Sequence, residues 1–208
     1  MSIYSSTGME ANLFIAAENG NAAGLAALIR GGVAIESKDP KLGMTALILA
    51  ALNGHAECVR LLLDSGADKE ATDKEGVTAL ICAAIEGRAD CVRRLLDGGA
   101  DKEAKIRNGS TALICAACKG HSDCVLLLMD CGADKEARDD QESTALICAA
   151  ESGHTDCVRL LLDGGADKEV VDELGTTALR WAASKGHTDC ARLLLDGVAA
   201  RKPNPRMD

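Results

Sequence analysis

The stretch Thr144-Ala145-Leu146-Ile147-Cys148-Ala149-Ala150-Glu151-Ser152-Gly153-His154-Thr155-Asp156-Cys157-Val158-Arg159-Leu160-Leu161-Leu162 decides the fold, because close variants of it recur along the chain. Its opening Thr-Ala-Leu stands at Thr45, Thr78, Thr111, Thr144 and Thr177, five occurrences at a constant spacing of 33 residues. A unit that short cannot bury its own apolar face, so neighbouring units must stack and share one continuous core.

Working outward, each Thr-Ala-Leu is followed by an alanine pair (Ala50-Ala51, Ala83-Ala84, Ala116-Ala117, Ala149-Ala150, Ala182-Ala183) and then by Gly54, Gly87, Gly120, Gly153 or Gly186. That pattern predicts a short helix closed by a glycine, which enters the left-handed region without a Cβ penalty. A second helix follows. Its first turn holds Glu57, Asp90, Asp123, Asp156 or Asp189, where the positive end of the helix dipole favours negative charge. Gly66, Gly99, Gly132 and Gly165 end it, and Ala-Asp-Lys-Glu leads into a polar turn.

Gly-x-Thr-Ala-Leu, Ala-Ala, Gly-His, Leu-Leu-Leu and Gly-Ala-Asp together resemble the ankyrin repeat over residues 8–200. The resemblance implies an all-α repeat solenoid of six stacked units, each a helix-turn-helix with a β-turn finger, at about 8–41, 42–74, 75–107, 108–140, 141–173 and 174–200. The first copy is degenerate, with a step of 34 residues to the next and Pro40 in the loop that absorbs the extra one. Residues 1–7 read as a flexible N-terminus, and 201–208, with Pro203 and Pro205, as a disordered tail. Ankyrin repeats usually carry Pro after the threonine and His two places later; here stand Ala46, Ala79, Ala112, Ala145, Ala178 and Ile48, Ile81, Ile114, Ile147, Arg180. The histidine network of that motif is therefore absent, and apolar contact is expected in its place.

Composition excludes several function classes. A net charge of −9 and only three aromatics (Tyr4, Phe14, Trp181) disfavour nucleic acid. Apolar runs are far shorter than the roughly 20 residues that span a bilayer, and Met1–Glu10 lacks signal-peptide character, so a cytoplasmic protein with no membrane association is expected. There is no Gly-x-Ser-x-Gly and no phosphate-binding glycine loop, which points away from an enzyme, and nothing calls for a cofactor. Of ten cysteines, Cys58, Cys82, Cys91, Cys115, Cys124, Cys148, Cys157 and Cys190 keep the repeat register and read as buried free thiols in a reducing compartment. Cys118 and Cys131 fall outside it. Cys115-x-x-Cys118-x-x-His121 has metal-like spacing, but the repeat frame places Cys115 in the helix layer and Cys118 toward the opposite groove, so no metal is expected.

Recognition of another protein remains, through the concave groove and the fingers that the family resemblance implies. Positions that differ between copies are free of packing constraint and mark candidates. The end of the first helix runs Leu52-Asn53, Ile85-Glu86, Cys118-Lys119, Glu151-Ser152, Ser184-Lys185. Four of five fingers carry Asp39, Asp73, Asp139 or Asp172, whereas the third has Ile106 between Lys105 and Arg107; four carry a glycine before the threonine, whereas the fourth has Glu142. One finger position switches sign along the series Lys41, Lys74, Arg107, Asp140, Glu173, and Arg138 adds positive charge near the centre. A basic patch beside an exposed Ile106 is expected to meet an acidic segment with one apolar anchor. Arg180 and Trp181 are further candidates, Trp181 either filling the end of the array or anchoring a partner. The recurring Lys69-Glu70, Lys102-Glu103, Lys135-Glu136 and Lys168-Glu169 read as solvated charge. The expected protein is a monomeric, non-catalytic scaffold or adaptor. Two alternatives are a regulatory subunit that inhibits a partner enzyme and a redox sensor acting through Cys118 or Cys131.

Overall fold

The computed structural model describes residues 8–196. The expectations for 1–7, for 201–208 and for the last residues of the sixth repeat lie outside the described residues. Six helix pairs follow one another: α1 (Gly8–Glu18) and α2 (Ala22–Arg30), α3 (Ala46–Leu52) and α4 (Ala56–Asp64), α5 (Ala79–Ile85) and α6 (Ala89–Asp97), α7 (Ala112–Lys119) and α8 (Ser122–Asp130), α9 (Ala145–Ser152) and α10 (Thr155–Asp163), α11 (Ala178–Lys185) and α12 (Thr188–Asp196). The odd-numbered helices stack on one another as an inner layer, the even-numbered ones as an outer layer. The described residues are all-helical apart from two isolated bridges, Thr72 with Thr78 and Val171 with Thr177, at the bases of fingers. No helix among them is long and apolar enough to cross a membrane.

Local chemistry explains the regularity. In each of the five regular repeats the threonine is the N-cap of the inner helix, its Oγ1 accepting the amide of the residue three places on, at 3.3–3.4 Å. This satisfies one of the amides that a helix start leaves without an intrahelical partner. The Ala-Leu-Ile face that follows is almost completely buried: Ile48, Ile81, Ile114 and Ile147 are at most 2% exposed. Apolar packing thus fills the place where the family motif carries histidine. The outer helices contribute Cys58, Cys91, Cys124, Cys157 and Cys190 to the same continuous core. All ten cysteines are free thiols; Cys148 is half-buried rather than buried, while Cys118 and Cys131 are exposed.

Polar ties between repeats support the stacking, and the four histidines, which share one place after a glycine, supply the first set. His55, His121, His154 and His187 each direct Nε2 to the carbonyl of Glu18, Ile85, Cys118 or Glu151 in the preceding repeat, at 2.9–3.0 Å. A carbonyl oxygen only accepts, so Nε2 carries the proton. In the third repeat Arg88 Nε donates to Leu52 O instead, at 3.2 Å. A histidine tie between repeats therefore exists, from a different position than the one the family motif implies. Glycine at 120 serves it twice: φ is +78°, and a Cβ there would sit 2.5 Å from His154 Nδ1.

The recurring acidic residues are likewise not merely solvated charge. Glu36, Glu70, Glu103 and Glu136 each accept, through Oε1, the backbone amide of Asp68, Asp101, Asp134 or Asp167 in the next repeat, all at 2.9 Å. Lys69 Nζ reaches Gly98 O at 2.9 Å and Lys168 Nζ reaches Leu194 O at 3.1 Å. Each of these six side chains completes a bond across a repeat boundary.

Candidate functional site

The fingers are built around one carboxylate each. Asp73 Oδ1 accepts the amides of Glu75 and Val77, Asp139 Oδ1 those of Gln141 and Ser143, and Asp172 Oδ1 those of Leu174 and Thr176. Ile106 cannot do this. In its finger Asn108 Oδ1 takes the amide of Ser110, at 3.1 Å, and Ile106 turns its side chain against the core. The expectation of an exposed Ile106 is corrected: it is half-buried, because an aliphatic side chain released from the turn gains more from covering the inner helices than from solvent. At the fourth finger Glu142 keeps the backbone conformation of the glycine it replaces, with φ +58°, the one positive φ among described non-glycine residues. The turn is thus unchanged, and the side chain pairs with Arg138 Nη1 at 3.0 Å.

Ile106 borders a pocket of about 320 Å³ on the inner side, between the third and fourth fingers and the inner helices α5, α7 and α9. Ile85, Ile106 and Ile114 supply its apolar wall; Cys115, Cys118 and Cys148 border it; Lys119, Glu151, Asn108 and Gln141 complete the rim. Five sequence candidates converge here: Ile85, Ile106, Cys118, Lys119 and Glu151. Cys115 lies buried in the helix layer, as expected, and reaches this pocket from below, while Cys118 is exposed at its rim. His121 points elsewhere, to Ile85 O, and no group of three or more His, Cys, Asp or Glu among the described residues is arranged to hold a metal. Burial pushes the Cys115 thiol up to about 11 and the Cys148 thiol up to about 12, so neither offers thiolate near neutral pH.

A second depression of about 160 Å³ shares Gln141, Ser143 and Glu151 with the first and extends the groove to Leu174 and Trp181. Trp181 Nε1 donates to Asp172 Oδ2 at 2.6 Å, and Lys185 Nζ lies 5.3 Å from the indole ring centre. Desolvation pushes the Asp172 carboxyl up, but the bonds from Trp181, Thr176 and Leu174 outweigh it, and the group titrates below the ordinary aspartate value. Lys185 also pairs with Glu151 at 3.4 Å. Trp181 is only half-buried, so one ring seals the last inner helix and borders the groove.

The remaining candidates lie outside both depressions. Lys105 Nζ donates to Arg138 O at 2.9 Å, Arg138 Nη1 to Val171 O at 3.2 Å, and Arg107 Nη2 to Lys74 O. These cations tie one finger to the next, and Arg107 is further paired with Glu75 at 3.3 Å. Asp140 is exposed on the fourth finger and gives its amide to Asn108 O at 2.9 Å. Arg180 is exposed on α11. Pocket residues not singled out from sequence had a signal available: the position of Asn108 and Gln141 reads Leu42, Glu75, Asn108, Gln141, Leu174, polar and varied in the middle of the array and leucine at both ends.

Comparison with known proteins agrees with this architecture. The family described as ankyrin repeats (3 copies) matches residues 13–106, 72–139 and 135–205. The crystal structure of the ankyrin repeat domain of Bcl-3, a member of the IkappaB protein family, superposes with a TM-score of 0.83 at 32% identity, covering 95% of this chain and 88% of that one. An ankyrin repeat domain from Acinetobacter baumannii AYE gives 0.80 at 30% identity, covering 89% and 96%. Among curated protein sequences no match is found.

Proposed function

The chain belongs to the ankyrin repeat family, whose repeats are protein-interaction modules, and from that premise we propose that it is a monomeric, non-catalytic, cytoplasmic scaffold or adaptor whose inner groove grips a segment of a partner protein. The observation that carries this reading is the pocket beneath Ile106, where the one finger lacking its carboxylate meets three variable inner-helix positions, Ile85, Cys118 and Glu151. An aliphatic side chain seated there contributes about 1.5–3 kcal/mol, enough for a single anchor in an otherwise polar interface. Lys105 and Lys119 make no ion pair among the described residues and suit acidic residues flanking that anchor.

The test is affinity capture from lysate of the source cell with three chains: wild type, Cys118→Arg, which fills the pocket from an exposed position, and the pair Lys105→Glu with Arg107→Glu. A partner held by wild type and lost by Cys118→Arg supports the pocket. Loss with the charge-reversed pair supports the acidic flank. A partner held equally by all three refutes the groove reading. Adding the partner's own activity assay separates tethering from inhibition, the regulatory-subunit alternative.

A redox reading keeps one supporting observation: the Cys118 thiol is exposed at the pocket rim, so its modification would block the same site. Unchanged partner binding after Cys118 is alkylated would dismiss it.

A further inference from the structure

The outer helices share a register position that reads Arg60, Arg93, Leu126, Arg159 and Arg192. Among the five regular repeats only the fourth places an aliphatic residue there; the degenerate first copy has Ala26. In the second repeat the arginine serves its own helix: Arg60 binds Glu57 at 2.6 Å and Asp64 at 2.5 Å. In the sixth, Arg192 meets Asp189 at 3.5 Å. The corresponding acids of the fourth repeat, Asp123 and Asp130, stand one turn to either side of Leu126 and have no ion pair among the described residues. Arg93 and Arg159 make no ion pair among the described residues either, so what sets the fourth repeat apart is that one substitution removes a cation from between two carboxylates and exposes an apolar side chain there.

The geometry around it is concave. Leu126 is 44% exposed and forms, with Met129 and Leu160, the apolar part of a depression of about 550 Å³ between α8 and α10. Met129 replaces the leucine of the other regular repeats (Leu63, Leu96, Leu162, Leu195), and its Cε lies where a side chain on Gly164 would stand. The rim carries Asp130, Asp134 and Asp163 against one cation, Lys135. No residue of this depression belongs to the inner groove.

We propose that this outer-face depression is a second docking surface, fitted to a protein segment that carries an aliphatic side chain flanked by arginine or lysine. The aliphatic group covers Leu126, Met129 and Leu160. The flanking cations meet the rim carboxylates Asp130, Asp134 and Asp163. Charge complementarity selects a basic segment, since an acidic one would meet three carboxylates and one ammonium. Occupied on both faces, the array would bridge two partners.

The test titrates the full ¹⁵N-labelled chain with three synthetic peptides: one alternating arginine and leucine, one with glutamate for arginine, and one with serine for leucine. The expected result is that only the arginine–leucine peptide shifts amides of α8, α10 and residues 131–135. Leu126→Arg, which restores the residue of four other repeats and so preserves the fold, should weaken that binding by about tenfold or more. Far-UV circular dichroism and the thermal midpoint confirm its folding. Equal binding of the glutamate or serine peptide, shifts spread over other repeats, undiminished binding by Leu126→Arg, or no binding of any peptide each overturns the proposal.

Discussion

Gly120 and Gly132 offer a matched pair for measuring what the histidine tie contributes to stacking. Their backbones are alike, φ +78° and φ +76°, but a Cβ on Gly132 meets nothing within 4 Å, whereas one on Gly120 would lie 2.5 Å from Nδ1, 2.7 Å from Cε1 and 2.9 Å from Cγ of His154. Alanine at either site is held in the left-handed region at a cost of about 1–2 kcal/mol, reduced by about 0.4–1 kcal/mol through the lower entropy of the unfolded chain. Gly132→Ala should therefore destabilise by about 0–1.6 kcal/mol. Gly120→Ala must also expel the His154 ring, breaking its bond to Cys118 O, which adds about 1 kcal/mol for the bond and more for lost packing. The expected total is about 2–3 kcal/mol. Urea unfolding followed by far-UV circular dichroism gives both values, and hydrogen exchange in α7 and α10 localises the effect, since a repeat array need not unfold in one step. In a His154→Ala background the excess cost of Gly120→Ala should vanish, a coupling of about 1–2 kcal/mol. Equal destabilisation by the two glycine substitutions, or an excess that survives in the His154→Ala background, would refute the idea that the ring ties the two repeats.

Other outcomes follow from the same contacts. Replacing Glu103 by alanine should cost about 1 kcal/mol by stripping the Asp134 amide of its acceptor, whereas Glu103→Gln, which keeps an oxygen, should cost less than half of that; equal losses would return this residue to the surface. Thiol titration of the native chain at pH 8 should give two fast-reacting groups, Cys118 and Cys131, with the others reacting only on unfolding, and early reaction of Cys91 or Cys115 would contradict their burial. Buried thiols also make stability fall in alkali: folded Cys91, Cys124 and Cys157 are pushed up to about 11, against about 8.5 when unfolded. Their contribution is complete below pH ~8.5 and is lost as the pH rises toward the folded values, by up to ~1.4 kcal/mol per group and pH unit. Cys91→Ala should flatten that decline, and a stability profile level from pH 8 to 10.5 would exclude it. Finally, Trp181→Phe should cost about 1–2 kcal/mol by depriving buried Asp172 of its indole donor, seen as earlier unfolding of α11 in hydrogen exchange.

By itself the sequence determined the period, the helix pairs and the family resemblance, because these rest on local chemistry: glycine where φ must be positive, an acid at a helix start, apolar residues at helical spacing. It also marked Ile85, Ile106, Cys118, Lys119 and Glu151 as exceptions to the repeat, and they prove to border one pocket. Tertiary structure alone decided what the exceptions and the repeats do across a boundary. Glu70 and Glu103 look like solvated charge until the next repeat is stacked near enough for its amide to meet Oε1. Arg107 and Arg138 looked free for a partner, yet they are spent partly on the carbonyls of neighbouring fingers. The physical reason is that a local pattern fixes the conformation of one unit, whereas a bond between units depends on the distance and rotation from each repeat to the next, set by the whole packed interface.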